Sequence, residues 1–144
     1  MVEIGLGRDE MLDLEHAPWV DVADGIWFKL VKVLDNDSGW ISLLRLRAGA
    51  AVGPHRHQGE VHGFVLQGTR TLMDGTVCEK GSYVYEPPGN VDTWSATGDE
   101  EMVSLFYVNG SVEYLSEDGQ VTFRETAASK RESWESARAE SNSH

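Results

Sequence analysis

Short apolar or alternating runs recur along the chain, and each is closed by turn chemistry. IWFKLVKVL (26–34) and WISLLRLRAG (40–49) flank DNDSG, and together they predict a hairpin. HGFVLQG (62–68), TRTLMDG (69–75), TVCEKG (76–81), SYVYEPPG (82–89), EMVSLFYVNG (101–110) and VEYLSEDGQVTF (112–123) follow at close spacing. MDG and EDG place Asp-Gly turns between strand-like runs, a local hairpin signal. No helical period intervenes between these runs. The pattern predicts an all-β sandwich or barrel.

Only the ends differ. SKRESWESARAES starts at Ser129 with Glu132 three positions on, a capping-box pattern that predicts a short helix pinned by Trp134, or else a polar tail. The expected organisation is therefore an N-terminal arm over 1–24, one β-domain over 25–123 and a helix or tail over 124–144. A chain of 144 residues suits one core better than two.

Composition narrows the function classes. A formal charge of −12 argues against nucleic acid or an anionic membrane as the main partner, since both require a basic surface. Cys78 is the single cysteine, which excludes an intrachain disulfide and a thiolate metal cluster. The N-terminus shows no basic region followed by an apolar stretch, so no signal peptide is expected and the expected location is cytoplasmic.

PHRHQGEVHG (54–63) gathers His55, His57 and His62 out of five histidines, with Glu60 among them. Residues two apart on a strand share a face, so His55 and His57 can aim two imidazoles at one point. Neutral imidazole suits Fe, Zn, Cu and Ni, and a carboxylate adds a hard, charged ligand. Against this stands the plainer reading that isolated histidines decorate a surface or bond within a core. A second stretch, GSYVYEPPGNVDTW (81–94), shifts the balance toward metal.

Taken together, GAAVGPHRHQGEVHGFVLQG (49–68) and GSYVYEPPGNVDTW resemble the two motifs of the cupin superfamily, over a core of about residues 25–110. Gly49 stands six positions before His55, His62 stands where cupins usually carry Glu, and Gly68 closes the strand. Gly81, Pro87 and Gly89 match the second motif in register, while Asp92 replaces its His and Ala96 its Asn. The wording is most similar to single-domain cupins such as acetylacetone-cleaving and dihydroxyacetophenone dioxygenases. The resemblance implies a jelly-roll-like β-barrel holding one divalent metal, Fe(II) in preference to Zn(II). It further implies that His55 and His57 are ligands, that position 92 supplies a third, and that His62 and Glu86 complete or tune the site. The activity implied is O2-dependent cleavage of a carbon–carbon bond in a small β-dicarbonyl or hydroxyketone, in a homodimer or larger assembly. The same superfamily includes zinc-binding or ligand-sensing modules of anti-sigma factors, which is the rival reading.

Asp92 departs from the motif, and three readings follow. Asp92 replaces the missing His directly, giving two histidines and a carboxylate; or His62 and Asp92 have exchanged roles; or the site is lost. Glu86 alternates with Val84 and is expected inside, either hydrogen-bonded to a ligand imidazole or acting as a base near the substrate. Trp94 is a candidate pocket wall. Arg45, Arg47 and Arg70 alternate along strands in a way that usually marks a solvated face, with steering of an anionic substrate as the alternative.

Overall fold

The computed structural model describes residue 7 and residues 9–142; the first six residues and residue 8 of the expected arm, and the last two of the tail, lie outside the described residues. In chain order the strands are β1 (Val20–Ala23), β2 (Ile26–Val33), β3 (Gly39–Leu46), β4 (Ala51–His57), β5 (Val61–Gln67) and β6 (Thr69–Leu72). Then come β7 (Val77–Glu79), β8 (Tyr83–Glu86), β9 (Val91–Thr97), β10 (Met102–Asn109), β11 (Val112–Leu115), β12 (Val121–Glu125) and the helix α1 (Ala127–Asn142). They form two six-stranded sheets, β1-β2-β3-β10-β5-β8 and β12-β11-β4-β9-β6-β7, with every pairing among the described residues antiparallel. This is a jelly-roll sandwich, the all-β architecture that the run spacing predicts.

The predicted first hairpin forms as β2 and β3, with Ile26 opposite Leu46 and Val33 opposite Trp40. Gly75 and Gly119 close the two Asp-Gly hairpins at positive φ, +90° and +84°, a backbone region that costs glycine nothing. Three strands lie outside the expected runs: β1, β9, and β4, which only the histidine spacing points to. β1 pairs with β2, so part of the arm belongs to the first sheet, and the segment after the Pro-Pro-Gly turn continues as β9.

The core between the sheets is built from inward-facing residues of both, among them Phe28, Leu46, Val61, Trp94, Met102 and Phe106. Burying a side chain of this size contributes roughly 1.5–3 kcal/mol. α1 packs against β1, β2 and β3 of the first sheet. Its capping box lies three residues earlier than the sequence pattern suggests: the Thr126 amide donates to Ser129 Oγ (2.8 Å) and the Ser129 amide to Thr126 Oγ1 (3.1 Å). Trp134 is buried and packs on Phe28, ring centroids 6.2 Å apart, so it does pin the helix. Among the described residues no helix is long and apolar enough to cross a membrane.

Candidate metal centre

His55 and His57 both point inward because β4 carries an irregularity. Val52 and His55 are both buried although three residues apart, which breaks the strand period; the register against β9 shifts between them, around Gly53-Pro54. An extra residue of this kind re-aims the side chains that follow. The two imidazoles then lie edge to face with centroids 4.8 Å apart. His55 Nδ1 lies 2.8 Å from the Gly53 carbonyl, a contact it makes as an N–H donor, which leaves Nε2 with a free lone pair. Burial pulls the His55 pKa down, so the ring is neutral at physiological pH.

Glu86 arrives from the opposite sheet. β8 ends at Glu86, and the turn Pro87–Asn90 carries the chain across to β9. That turn is clamped onto His57 through its backbone: Gly89 N–H donates to the His57 carbonyl (2.7 Å), and His57 N–H donates to the Asn90 carbonyl (3.1 Å). Glu86 Oε1 lies 3.4 Å from His57 Nε2. Ligand atoms of His55, His57 and Glu86 all fall within 4.8 Å of one another, and all three residues are buried.

Both ring nitrogens of His57 and Glu86 Oε1 are buried without a hydrogen-bond partner among the described residues. Leaving such groups unsatisfied costs about 1–3 kcal/mol each. A divalent ion accepting one imidazole nitrogen from each histidine and one carboxylate oxygen would remove most of that cost, and this donor set suits Fe(II) or Zn(II). The residues therefore fit a metal.

Asp92 and His62 are placed otherwise than the motif register implies. Asp92 pairs across the ladder with His55 but is buried against Glu86 and Arg70, its Oδ2 3.9 Å from Arg70 Nη2, and it is not one of the three clustered residues. His62 leaves the opposite face of β5. Its Nδ1 meets Tyr83 Oη at 2.5 Å, its Nε2 faces Glu60 at 3.4 Å, and its ring lies beside Tyr85 and Tyr107 on the outer surface. The residue that faces the histidines from this strand is Val61, one position earlier, paired across the sheet with Glu86. A slip of one residue exchanges the two faces of a strand, so His62 neither reaches the metal cluster nor offsets the histidine missing at position 92. The exchange reading is set aside by this placement, and the carboxylate beside the histidines is that of Glu86.

Arg70 is the residue that the sequence pattern misplaced. Far from a solvated face, it is 0% exposed. Its guanidinium stacks over Trp94 and Phe106, 4.4 and 5.1 Å from the ring centroids, and Nη2 donates to Glu86 Oε2 at 3.3 Å. Gly63 makes the room: a Cβ there would stand 3.0 Å from Phe106 and 3.2 Å from Arg70. Arg45 is held between Trp19 and Trp27, and Arg47 pairs with Asp24 on the surface.

The charges around Arg70 divide unequally. Burial would raise the Glu86 pKa, but His57 and Arg70 outweigh it and lower it to about 2. Burial and the neighbouring Glu86 raise that of Asp92 to about 6. Glu86 is therefore the stable carboxylate of the pair. The cluster opens into a cavity of about 70 Å³ between the sheets, walled by Trp40, Val61, Trp94, Phe106 and Val108. Trp94 is thus a wall of this cavity, as expected.

Solved structures share this fold. An RmlC-like cupin protein from Ralstonia eutropha matches at a TM-score of 0.83 and 23% identity, covering 90% of this chain and 87% of that one. An acetylacetone dioxygenase from Acinetobacter johnsonii matches at 0.80 and 17%, covering 94% of this chain and 97% of that one. The Rhodobacter sphaeroides complex of SigE with the anti-sigma ChrR contains a chain matching at 0.59 and 21%, over 67% of this chain and 51% of that one. No curated protein sequence matches the chain. A family model described as the ChrR cupin-like domain matches residues 7–113, most of the chain and every residue of the cluster, and the protein belongs to that family.

Proposed function

We propose that the protein is a metal-dependent cupin oxygenase acting on a small β-dicarbonyl or hydroxyketone. The observation that carries this reading is the buried trio of His55, His57 and Glu86, with unsatisfied donor atoms opening on a mostly apolar cavity. A divalent ion held there would supply Lewis acidity toward a chelating ketone and, as Fe(II), a route to O2. His55 would present a fixed Nε2 through its bond to Gly53, and Glu86 would be kept ionised and oriented by Arg70. The apolar walls would exclude water from the reacting ketone. Asp92, beside Glu86, would hold a proton below its raised pKa. A cytoplasmic location and a homodimeric or larger assembly go with this reading.

The test is elemental analysis of the purified protein together with O2 uptake in the presence of Fe(II) and a panel of β-diketones and hydroxyketones. About one metal per chain is expected, lost in His57→Ala, with O2 consumed by at least one ketone. Membership of the ChrR cupin-like family favours a second reading, a zinc-binding sensor. Stoichiometric zinc with no O2 uptake on any ketone would support the sensor and sink the oxygenase.

A further inference from the structure

The inner cavity holds a second cation that the metal reading leaves without a task. Lys130, in the first turns of α1, is 8% exposed, and its side chain makes neither a hydrogen bond nor an ion pair among the described residues. Its ammonium lies 3.8 Å from the centroid of the Phe28 ring. Glu125 attracts it from the outer side without closing an ion pair, and burial lowers the Lys130 pKa to about 8. Stranding an ammonium in apolar surroundings is costly unless an anion joins it.

Its position says where that anion would come from. Lys130 lines the 70 Å³ cavity together with His55, His57 and Glu86. It also lines an outer groove of about 460 Å³ with Asp21, Phe123 and Glu125. Leu44, Val52, Tyr114 and Lys130 border both spaces and form the partition between them. Within the inner cavity the negative charge of Glu86 is already committed to Arg70, so the only carboxylate acting on Lys130 is Glu125, which lines the outer groove and not the inner cavity.

We propose that Lys130 is the anion-binding residue of this cavity, receiving the carboxylate of a small oxo acid whose carbonyl end faces His55, His57 and Glu86. The carboxylate contact stands by itself; the orientation of the carbonyl end rests on the metal-site reading above. The outer groove is the approach, and Lys130 stands at its inner end. The cavity, about 70 Å³, admits only a small molecule. This narrows the substrate class from neutral diketones to 3-oxo acids.

Acetoacetate and methyl acetoacetate share a skeleton and differ in charge, which makes them the probes. Calorimetric titration of both into the full chain, metal-free and Zn(II)-loaded, is compared for wild type, Lys130→Met, Lys130→Gln and Lys130→Arg. The wild type should prefer acetoacetate over the ester by at least ~10-fold. Both neutral variants should lose that preference while binding the ester unchanged, and the arginine variant should keep it. Melting temperatures at or above the wild type's would show that the neutral variants are folded, and the glutamine variant carries the test if the methionine variant is not. A charge preference that survives in the neutral variants, or its absence in the wild type, overturns the proposal. Zinc stoichiometry is read separately: a Lys130-dependent preference without zinc binding would sink the metal reading alone, and zinc binding without the preference would sink the Lys130 proposal alone.

Discussion

Arg70 and Lys130 are both buried cations on the inner walls of the sandwich, and the fold treats them in opposite ways. Arg70 is sandwiched by Trp94 and Phe106 and bonded to Glu86. Lys130 has the face of Phe28 and the attraction of Glu125, with no hydrogen bond between them. A guanidinium stays charged and presents a planar fork, so it suits a permanent post that fixes the orientation of Glu86. An ammonium is a point charge on a flexible stem and can give up its proton when desolvated, so it tolerates the lack of a partner. The difference separates a charge built into the architecture from one left available to a ligand.

Removing the built-in charge should have the largest effect. Arg70→Met strands Glu86 beside Asp92, and breaking a buried pair from one side costs about 3–5 kcal/mol. Thermal unfolding should fall by on the order of 10 °C, and a change under about 3 °C would show that Arg70 is dispensable. Lys130 should behave in the reverse sense. Its folded-state pKa, about 8, lies below its ordinary value of 10.5, so the cost of burying the charge is carried in full below pH 8. Between pH 8 and 10.5 the unfolded chain holds more protons, and stability rises with pH, by at most ~3 kcal/mol at 1.36 kcal/mol per unit. Urea unfolding across that window should show the rise in wild type but not in Lys130→Met; parallel curves would refute the assignment.

A smaller effect is expected from loosening the helix that carries Lys130. Thr126→Ala removes an acceptor for the Ser129 amide and should cost about 1 kcal/mol, read by denaturant midpoint, with the oxo-acid affinity falling in step. His62→Ala lies outside both cation sites and should be the mildest. Stability within about 0.5 kcal/mol and unchanged metal content are expected. Loss of metal in that variant would place His62 in the site after all.

The histidine pair was legible because strand period two brings His55 and His57 to one face whatever the rest of the fold does. The motif register likewise pointed to Glu86 and Trp94 as inward residues. His62 was misread because spacing along a chain does not specify strand parity: the Gln58–Glu60 turn delivers Val61, not His62, to the interior. Arg70 was missed for a related reason. Thr-Arg-Thr-Leu looks like a solvated strand until Gly63, Trp94 and Phe106, from three other strands, leave a slot for a guanidinium. The capping box shifted from Ser129 to Thr126 because several Ser, Thr and Glu residues satisfy the same pattern locally, and only the end of β12 decides where the helix starts.

What the sequence by itself determined were the properties carried by local periodicity and turn chemistry: an all-β fold, its Asp-Gly hairpins, one domain, and a two-histidine convergence. Tertiary structure alone decided which carboxylate joins the histidines and which cations lie inside. Those choices depend on the Pro87–Asn90 turn crossing between sheets and on α1 packing against the first sheet, which brings Lys130 to the cavity. They follow from contacts between residues remote in the chain, in an interior where an uncompensated charge is costly enough for its partners to define the site.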